Sequence, residues 1–288
     1  MADRRCIASV VIPAHNEEAV LRPLLSTLLA GADPGELEVI VVANGCTDRT
    51  ADVAREFGPD VRVVETSVAS KSSALNLGDD NASVLPRIYL DADIPIDAPT
   101  VRRLAEHLQA PGALAATPSM RVDTSGRPWP VRAYYRVWVR LPYVVDGQLA
   151  GVIGLSAEGR SRFARFPDIT SDDLWVRGHF LPEERVRLDD CEYVVQAPWS
   201  LRSLVRVKVR SFAGAEQLRS RYPDVAERGR GRGGARGRAR TLLKEPRLWP
   251  ALACYVFVWS AARAGGWWTV RRGGNPRWSR DDTTRQAR

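Results

Sequence analysis

The sequence predicts an α/β fold in which a mostly parallel sheet carries helices on both faces. Over the first 120 residues, short runs rich in β-branched residues alternate with amphipathic segments of helical length. Alternation of this kind gives parallel strands, because each helix returns the chain to the sheet edge from which the next strand starts. Polar residues follow the first, second and fourth runs, and ligands of α/β sheets bind at such strand exits.

The elements follow in order along this region. Five strands are predicted, at Ile7–Ile12, Val39–Ala43, Val61–Glu65, Ile88–Leu90 and Leu114–Thr117. Four helices are predicted between them, at Glu17–Ala30, Thr47–Phe57, Ser70–Asn81 and Thr100–Gln109. Thr47 and Ser70 are expected to cap their helices, because a hydroxyl can accept a hydrogen bond from a free N–H of the first turn.

Beyond residue 120 the rhythm of the pattern changes. Trp129–Leu141 is rich in aromatic residues, Val152–Ala157 and Tyr193–Gln196 are further predicted strands, and Ser203–Tyr222 is a long predicted helix. We therefore expect one domain over residues 1–222, with halves at 1–120 and 121–222.

Charge is divided unevenly along the chain. The formal net charge is +8, yet residues 201–288 hold 21 Lys and Arg against 6 Asp and Glu, so the first 200 residues are acidic. A basic tail of this kind is expected to meet an anionic surface, either nucleic acid or membrane. Within it, the low-complexity tract Arg228–Arg238 predicts a mobile Arg/Gly linker at residues 223–247.

The segment 248–288 is predicted to form an aromatic, amphipathic helical tail. Its apolar part, Pro250–Ala262, is shorter than the roughly 20 residues that span a bilayer. Arg263 interrupts any longer apolar run, and Gly265-Gly266 weakens a continuing helix. We expect a helix lying in a membrane surface, with packing on the domain as the alternative.

Four widely spaced cysteines, Cys6, Cys46, Cys191 and Cys254, suggest neither a disulfide framework nor a zinc site, and fit a reducing compartment. No apolar signal segment precedes the first predicted strand. We therefore expect a cytoplasmic active site, on a protein that is peripheral on the inner face of the plasma membrane.

The acidic triplet Asp91-Ala92-Asp93 follows the apolar run that ends at Leu90. Two carboxylates separated by one small residue can share a hard divalent cation, and phosphate oxygens commonly complete its coordination. Polar segments at the other strand exits are Pro13–Glu18 and Asn44–Asp48, and Lys71 opens the third helix. Together they supply what a bound nucleotide needs: oxygen acceptors for base and ribose, and positive charge near the phosphates.

With these segments the chain resembles family-two glycosyltransferases of the GT-A fold, a Rossmann-like α/β fold. The matching motifs are V-V-I-P-A-H-N-E-E, N-G-C-T-D-R-T, K-x-x-A-L-N and L-D-A-D, in family order, and the resemblance covers roughly residues 7 to 215. It implies a metal-dependent, inverting, hexosyltransferase-like enzyme with a UDP- or GDP-sugar donor and Mn²⁺ or Mg²⁺. Residues 1–120 would then be the donor half and residues 121–222 the acceptor half.

The resemblance also implies roles for individual residues. Those expected to bind the donor are Pro13, Ala14, Asn16, Glu17, Asn44, Asp48, Lys71 and Asp91. Asp93 is the expected direct metal ligand, supported by Asp91 and by His179 as a third ligand. Three alternatives stay open: Asp48 as a first-turn helix residue, Lys71 on a solvated face, and His179 as a packed core residue.

The expected general base lies in Ser171-Asp172-Asp173, where the family's usual Glu-Asp is replaced by two aspartates. Asp173 falls on the family's position for the base, and Asp172 is the alternative. Two adjacent carboxylates can raise the pKa of one of them by mutual repulsion, a property that would suit a base. The other interpretation, that both acids stabilise a helix N-terminus, is compatible with this role.

Arg206 and Arg210 lie four residues apart and are expected to share a helix face, to meet the leaving diphosphate or to be solvated. Processive relatives carry Gln-x-x-Arg-Trp here, and its absence predicts transfer of a single sugar. The basic, aromatic tail favours a lipid-linked acceptor at an anionic membrane.

The sequence gives less support to two other functions. A sugar-nucleotide nucleotidyltransferase would need a glycine-rich, basic loop after the first strand, and Pro13–Glu18 has neither property. Nucleic-acid binding through the Arg/Gly tract would need stacking aromatics among the arginines, and none lies between Tyr222 and Trp249. We therefore expect no nucleic-acid partner.

Overall fold

The computed structural model describes residues 6–141, 144, 148–229 and 245–271. The described residues of Met1–Met120, Leu149–Asp168 and Glu183–Tyr193 form one compact unit, here called unit 1. Those of Arg121–Gln148, Ile169–Pro182 and Val194–Arg288 form a second, unit 2. The predicted domain boundaries stay predictions, and most of the Arg/Gly tract and the last residues of the tail lie outside the described residues.

The described residues form a seven-stranded mixed sheet in the order β3-β2-β1-β4-β6-β5-β7. Its strands are β1 (Ala8–Ala14), β2 (Leu37–Asn44), β3 (Val61–Thr66), β4 (Arg87–Leu90), β5 (Ala115–Asp123), β6 (Val152–Leu155) and β7 (Arg185–Gln196). β1 is parallel to both β2 and β4, and β2 is parallel to β3, whereas β6 is antiparallel to β4 and β5. The predicted α/β class with a mostly parallel sheet is confirmed.

Both units contain helices. In unit 1 they are α1 (Glu18–Ala30), α2 (Thr50–Arg55), α3 (Lys71–Asn81), α4 (Ala98–Gln109) and α6 (Ala157–Ser161). In unit 2 they are α5 (Trp129–Trp138), α7 (Asp172–Arg177), α8 (Leu201–Arg221), α9 (Pro223–Arg228) and α10 (Trp249–Arg271). Residues 223–228, which the sequence places in the linker, thus form a helix.

Strand register shows that both faces of the sheet are covered. Tyr89 pairs with Val11 on one side and with Ile153 on the other, so these three side chains share a face. A Cβ on Gly78 of α3 would lie 2.3 Å from Val11 Cγ1, which places α3 on that face. Gly154 points to the opposite face, where a Cβ would lie 2.6 Å from Leu108 Cδ1 of α4.

The structure corrects several predicted boundaries near the site. β1 continues to Ala14 and α2 begins only at Thr50, so Thr47 is not its cap. Ser70 does cap α3, since its hydroxyl accepts a hydrogen bond from the Ser73 N–H at 3.3 Å. The predicted strand Tyr193–Gln196 is the end of the much longer β7. The charged residues of β7 obscure the alternating apolar pattern by which a strand is recognised in sequence. They are tolerated because β7 lies at the edge of the sheet.

In unit 2, α10 packs one face against α5 and α8 and exposes the other. Gly265 and Gly266 allow the close approach to α8: a Cβ on Gly266 would lie 2.9 Å from Phe212 Cβ. The expectation that these glycines weaken the helix is therefore wrong, because α10 continues through them to Arg271. Of the helices within the described ranges, none has the length and apolar character needed to cross a membrane.

Candidate active site

The exits of β2, β1 and β4 lie side by side in unit 1. These strands are neighbours and parallel, so Asn44, Ala14 and Leu90 end at the same edge of the sheet. The segments that follow them therefore start close together. This is the edge at which an α/β sheet binds its ligand.

Asn44 ties the first two of these segments together. Its side chain is fully buried, and Nδ2 donates a hydrogen bond of 2.7 Å to the carbonyl oxygen of Ala14. The Asn44 carbonyl oxygen accepts a hydrogen bond from His15 Nδ1. Thr47 N–H in turn donates to Asn16 Oδ1 at 2.7 Å. Asn44 thus holds the shape of the edge, a structural role that its predicted place in the donor pocket does not exclude.

Asn16 is an exposed residue of the loop that follows β1. Its φ is +51°, a left-handed conformation that asparagine adopts more readily than most residues. Pro13 and Ala14 lie within β1 and are buried, whereas Glu17 is 4% exposed and donates its N–H to Thr50 Oγ1 at 2.7 Å. Of these four predicted donor residues, Asn16 has the side chain most accessible to a ligand.

Asp48 stabilises two helix beginnings. Its Oδ1 accepts hydrogen bonds from Thr50 N–H, at 3.0 Å, and from the Thr50 hydroxyl, and its Oδ2 accepts one from Glu18 N–H at 3.2 Å. Because α2 begins at Thr50, Asp48 lies before the helix, and the alternative that places it in the first helical turn is wrong about its position, although its carboxylate does stabilise the start of α2. A carboxylate has further lone pairs, and its predicted contact with base or ribose stays a prediction.

Lys71 and Asp91 form an ion pair at the exit of β4. Lys71 is the first residue of α3, and its Nζ lies 2.6 Å from Asp91 Oδ1. The two side chains are 26% and 34% exposed, so both remain accessible from solvent. Lys71, the predicted phosphate contact, is thus adjacent to Asp91, a predicted metal-site residue. It lies at the turn Asp91-Ala92-Asp93, here called the acidic turn.

The acidic turn is built so that its carboxylates face outward. Asp91 N–H donates to the carbonyl oxygen of Gly151 at 2.9 Å, and Ile94 N–H donates to the Asp91 carbonyl oxygen at 3.1 Å. Ala92 and Ile94 are buried at 4% and 6% exposure, whereas Asp93 is exposed. Alternating burial therefore anchors the turn through its apolar residues and presents Asp93 to solvent.

These carboxylates fit a cation that takes most of its ligands from elsewhere. Among the described residues, no three His, Cys, Asp or Glu side chains come together as a metal-binding group. Asp91 and Asp93 supply hard oxygen donors, which Mg²⁺ accepts together with phosphate oxygens and water. The donor set suits a cation that binds with a diphosphate.

Asp172 and Asp173 open helix α7 in unit 2. Ser171, just before them, forms no side-chain cap, and its hydroxyl lies in the space that a Cβ on Gly214 of α8 would occupy. Both aspartates lie in the first turn of α7, where the helix dipole favours negative charge. Their predicted role as base is compatible with this position.

Lys208, which the sequence pattern did not single out for a role, interacts electrostatically with Asp173. Its Nζ is 4.4 Å from the ring centre of Trp138, 5.5 Å from that of Tyr134 and 5.8 Å from that of Tyr135. Burial among the rings lowers the pKa of Lys208 to about 8, and the charge of Asp173 acts in the opposite direction. The only sequence signal for Lys208 was that lysine is rare in this arginine-rich chain. The three rings around it could not be predicted, because they belong to α5 whereas Lys208 belongs to α8.

His179 lies at the end of the same region, packed against aromatic rings. Its Nδ1 donates a hydrogen bond of 2.8 Å to the carbonyl oxygen of Trp175, and the two ring centres are 4.6 Å apart. These contacts agree with the alternative of a packed residue. Metal-binding histidines also commonly donate their second nitrogen to a carbonyl, so the predicted ligand role stays a prediction.

Arg206 and Arg210 lie on α8, as predicted, with the four-residue spacing that puts them on one helix face. Within the part of the chain that the structure describes, neither side chain forms an ion pair. Their contact with a diphosphate stays a prediction.

The profile of glycosyl transferase family 2 matches residues 9–162, more than half of the chain. The chain belongs to this family. The matched stretch contains every predicted donor-binding residue of unit 1 and the acidic turn. The expected family is thereby confirmed.

Curated relatives match shorter stretches. The probable glycosyltransferase YdaM of Bacillus subtilis (strain 168) is 40% identical over 78 residues, 24% of this chain and 19% of that protein. The undecaprenyl-phosphate 4-deoxy-4-formamido-L-arabinose transferase of Edwardsiella ictaluri (strain 93-146) is 33% identical over 115 residues, 37% of this chain and 35% of that protein. The chain thus covers about a third or less of these relatives.

Solved structures of similar fold are glycosyltransferases. The mannosyltransferase PcManGT from Pyrobaculum calidifontis, in complex with GDP-Man and Mn²⁺, has a TM-score of 0.65 at 20% identity, covering 92% of this chain and 88% of that chain. Glucosyl-3-phosphoglycerate synthase from Mycobacterium tuberculosis, with Mn²⁺ and UDP, has a TM-score of 0.53 at 20% identity, covering 76% of this chain and 80% of that chain. The likeness confirms the GT-A fold.

Proposed function

We propose that this glycosyltransferase transfers a single hexose-like sugar from a UDP- or GDP-sugar to an acceptor hydroxyl, with inversion at the anomeric carbon. The observation that carries the proposal is the acidic turn at the exit of β4, where Asp93 is exposed and Asp91 pairs with Lys71. A leaving diphosphate needs positive charge at this point, and both a cation and an ammonium group serve that need.

Asp93 and Asp91 are the residues that we assign to holding Mn²⁺ or Mg²⁺, with phosphate oxygens and water as the remaining ligands. When bound, the cation would neutralise the charge that develops on the diphosphate. Mn²⁺ in the structures of the mannosyltransferase and the glucosyl-3-phosphoglycerate synthase supports this assignment. Lys71 then acts on the same negative charge from the start of α3.

Asp173 is the proposed general base, with Asp172 as the alternative. It accepts the proton of the acceptor hydroxyl as that oxygen forms a bond to the anomeric carbon. The bond from this carbon to the diphosphate breaks on the opposite side, which inverts the configuration and releases the nucleoside diphosphate. Arg206 and Arg210 are assigned to the departing diphosphate.

The acceptor that we propose is lipid-linked, and the protein acts at the inner face of the plasma membrane. The exposed face of α10 supports this, because Phe257, Trp267 and Trp268 are 61%, 48% and 53% exposed there. Exposed aromatic side chains with interspersed basic residues favour an anionic membrane surface. The undecaprenyl-phosphate transferase among the relatives also supports it.

A thermal-shift screen tests the donor class directly. UDP-, GDP- and dTDP-sugars are added with and without Mn²⁺, because a ligand of the native state raises the unfolding temperature by mass action. We expect stabilisation by one nucleotide class that depends on the metal. Equal unfolding temperatures under all conditions, together with absent sugar transfer, would contradict the proposal.

A further inference from the structure

A basic cleft lies in unit 2 between α5 and the start of α10. Its volume is about 190 Å³, and it is lined by Trp129, Arg132 and Arg136 from α5 and by Arg247 from the turn before α10, above Ala133 and Ala251. The helices that form it are fixed together, since Ala133 and Ala251 belong to one buried apolar cluster. The cleft is thus a concave feature on a packed scaffold.

The three arginines carry charge that the described residues do not neutralise. Arg132 and Arg136 are exposed and four residues apart on α5, and Arg247 is exposed opposite them. Among the described side chains, none forms an ion pair with any of the three. Like charges at this spacing destabilise a helix, so an anion that binds all three relieves a repulsion present in the free protein.

Several exposed arginines elsewhere in the described chain are neutralised. Arg22 pairs with Glu56 at 2.5 Å, and Arg165 pairs with Asp80 at 2.6 Å. Exposed arginines of this chain can therefore have carboxylate partners. The cleft, by contrast, brings together three arginines for which the described residues provide no carboxylate partner.

The surroundings of the cleft favour a ligand at a membrane surface. Its wall, Trp129, is 55% exposed, and Trp249 at the start of α10 is 57% exposed. The exposed aromatic face of α10 continues from there. A headgroup held by the arginines would leave its apolar chains beside these rings, whereas a soluble phosphate would use the arginines alone.

We propose that this cleft binds the phosphate monoester headgroup of a membrane lipid. Guanidinium groups form paired, charge-assisted hydrogen bonds with phosphate oxygens, and a monoester offers more charge and more free oxygens than a diester. The proposal rests on the membrane docking proposed above. It adds a headgroup preference and names the residues that set it.

The test is co-sedimentation of the full chain with two sets of vesicles of equal surface charge, containing either phosphatidic acid or phosphatidylglycerol. We expect the wild-type protein to bind phosphatidic acid vesicles about ten-fold more tightly. The variant R132Q/R136Q/R247Q should lose this preference and bind phosphatidic acid about a hundred-fold more weakly, as expected for three basic residues at an anionic surface.

A charge-matched control separates the cleft from net charge. The variant R22Q/R55Q/R165Q removes three exposed arginines from unit 1 and should keep the phosphatidic acid preference. Equal losses in the two triple variants, or no preference in the wild-type protein, would overturn the headgroup site while leaving docking intact. Absence of all vesicle binding would overturn docking and the headgroup site together, without bearing on sugar transfer.

A third arm distinguishes the source of the phosphate. Isothermal titration is carried out with inorganic phosphate and with dihexanoyl phosphatidic acid, a soluble lipid, on the wild-type protein. Tighter binding of the lipid supports a membrane ligand. Equal binding of both would overturn the assignment to a lipid.

Discussion

Asp173 is the general base that we propose. It lies in the first turn of α7, and a base is needed only once donor and acceptor are both bound. Asp173→Asn should therefore keep donor affinity and lower the turnover number by about a hundred-fold or more. Turnover is measured with a radiolabelled donor and affinity by titration with the nucleoside diphosphate.

Asp172→Asn is the matched control, because Asp172 shares the first turn of α7. We expect it to lower turnover less than Asp173→Asn does. A larger loss in Asp172→Asn would transfer the role of base to Asp172, and normal turnover in both variants would place the base elsewhere.

Lys208 predicts a pH dependence of stability. Its pKa falls from the usual 10.5 to about 8 through burial among aromatic rings. Between about pH 8 and pH 10.5 the unfolded chain then binds more protons than the native protein does, so the free energy of unfolding rises with pH. Lys208→Met should remove this rise, which urea unfolding at pH 7 and pH 10 would measure.

Arg202→Met serves as the control for this change, since Arg202 is an exposed residue of the same helix and leaves Lys208 in place. It should keep the wild-type slope. The same slope in Lys208→Met and in the wild-type protein would show that the rings do not perturb the lysine.

Single residues also show where sequence reasoning stops. Asp91, Asp93 and Lys71 could be placed from motif and strand position, because strand exits meet at one edge. The contacts of Asp48 with Thr50 and Glu18 could not, since they depend on how two loops fold against each other. The aromatic cage of Lys208 joins α5 to α8 and has no local signature.

Among the elements, α10 depends on its glycines for packing. A side chain at Gly266 would meet the backbone of α8, because a Cβ there lies 3.0 Å from Ala213 N. Gly266→Val should lower the free energy of unfolding by about 3 kcal/mol, at the upper end of the cost of overpacking. Ala264→Val, at an exposed position of the same helix, should cost less than about 1 kcal/mol.

Chemical denaturation with urea measures both variants. Equal stability of Gly266→Val and Ala264→Val would contradict the packing of α10 on α8. The glycines mislead sequence reasoning for a physical reason: glycine weakens an isolated helix, but the contact with α8 compensates for that cost.

The exposed face of α10 predicts membrane association. Phe257→Ser, Trp267→Ser and Trp268→Ser, combined, should weaken binding to anionic vesicles about a hundred-fold, because each ring loses apolar area that the membrane would bury. Substitution is preferable to deletion of residues 228–288, since deletion would remove α10 and expose the faces of α5 and α8 on which it packs. Val68→Ser with Leu85→Ser is the control in unit 1, and unchanged vesicle binding of the aromatic variant would exclude this face as the anchor.

At the scale of the whole molecule, hydrophobic pattern and motif order predicted the α/β class, the first four parallel strands and the family. These depend on local signals repeated along the chain, which one sequence displays. The length of β7 and the packing of α10 depend on contacts with residues distant in sequence. The sequence offered an interfacial helix and a core helix as alternatives for α10. The structure is compatible with both, because α10 has one packed face and one exposed face.

The central claim is that Asp93, supported by Asp91, binds the cation that holds the donor diphosphate. Isothermal titration of UDP and GDP into the wild-type protein and Asp93→Asn, each with and without Mn²⁺, tests it most directly, with Asp60→Asn as an exposed control. We predict that Mn²⁺ tightens nucleotide binding by about ten-fold or more in the wild-type and Asp60→Asn proteins and has no effect in Asp93→Asn. An equal Mn²⁺ effect in all three proteins would contradict the claim.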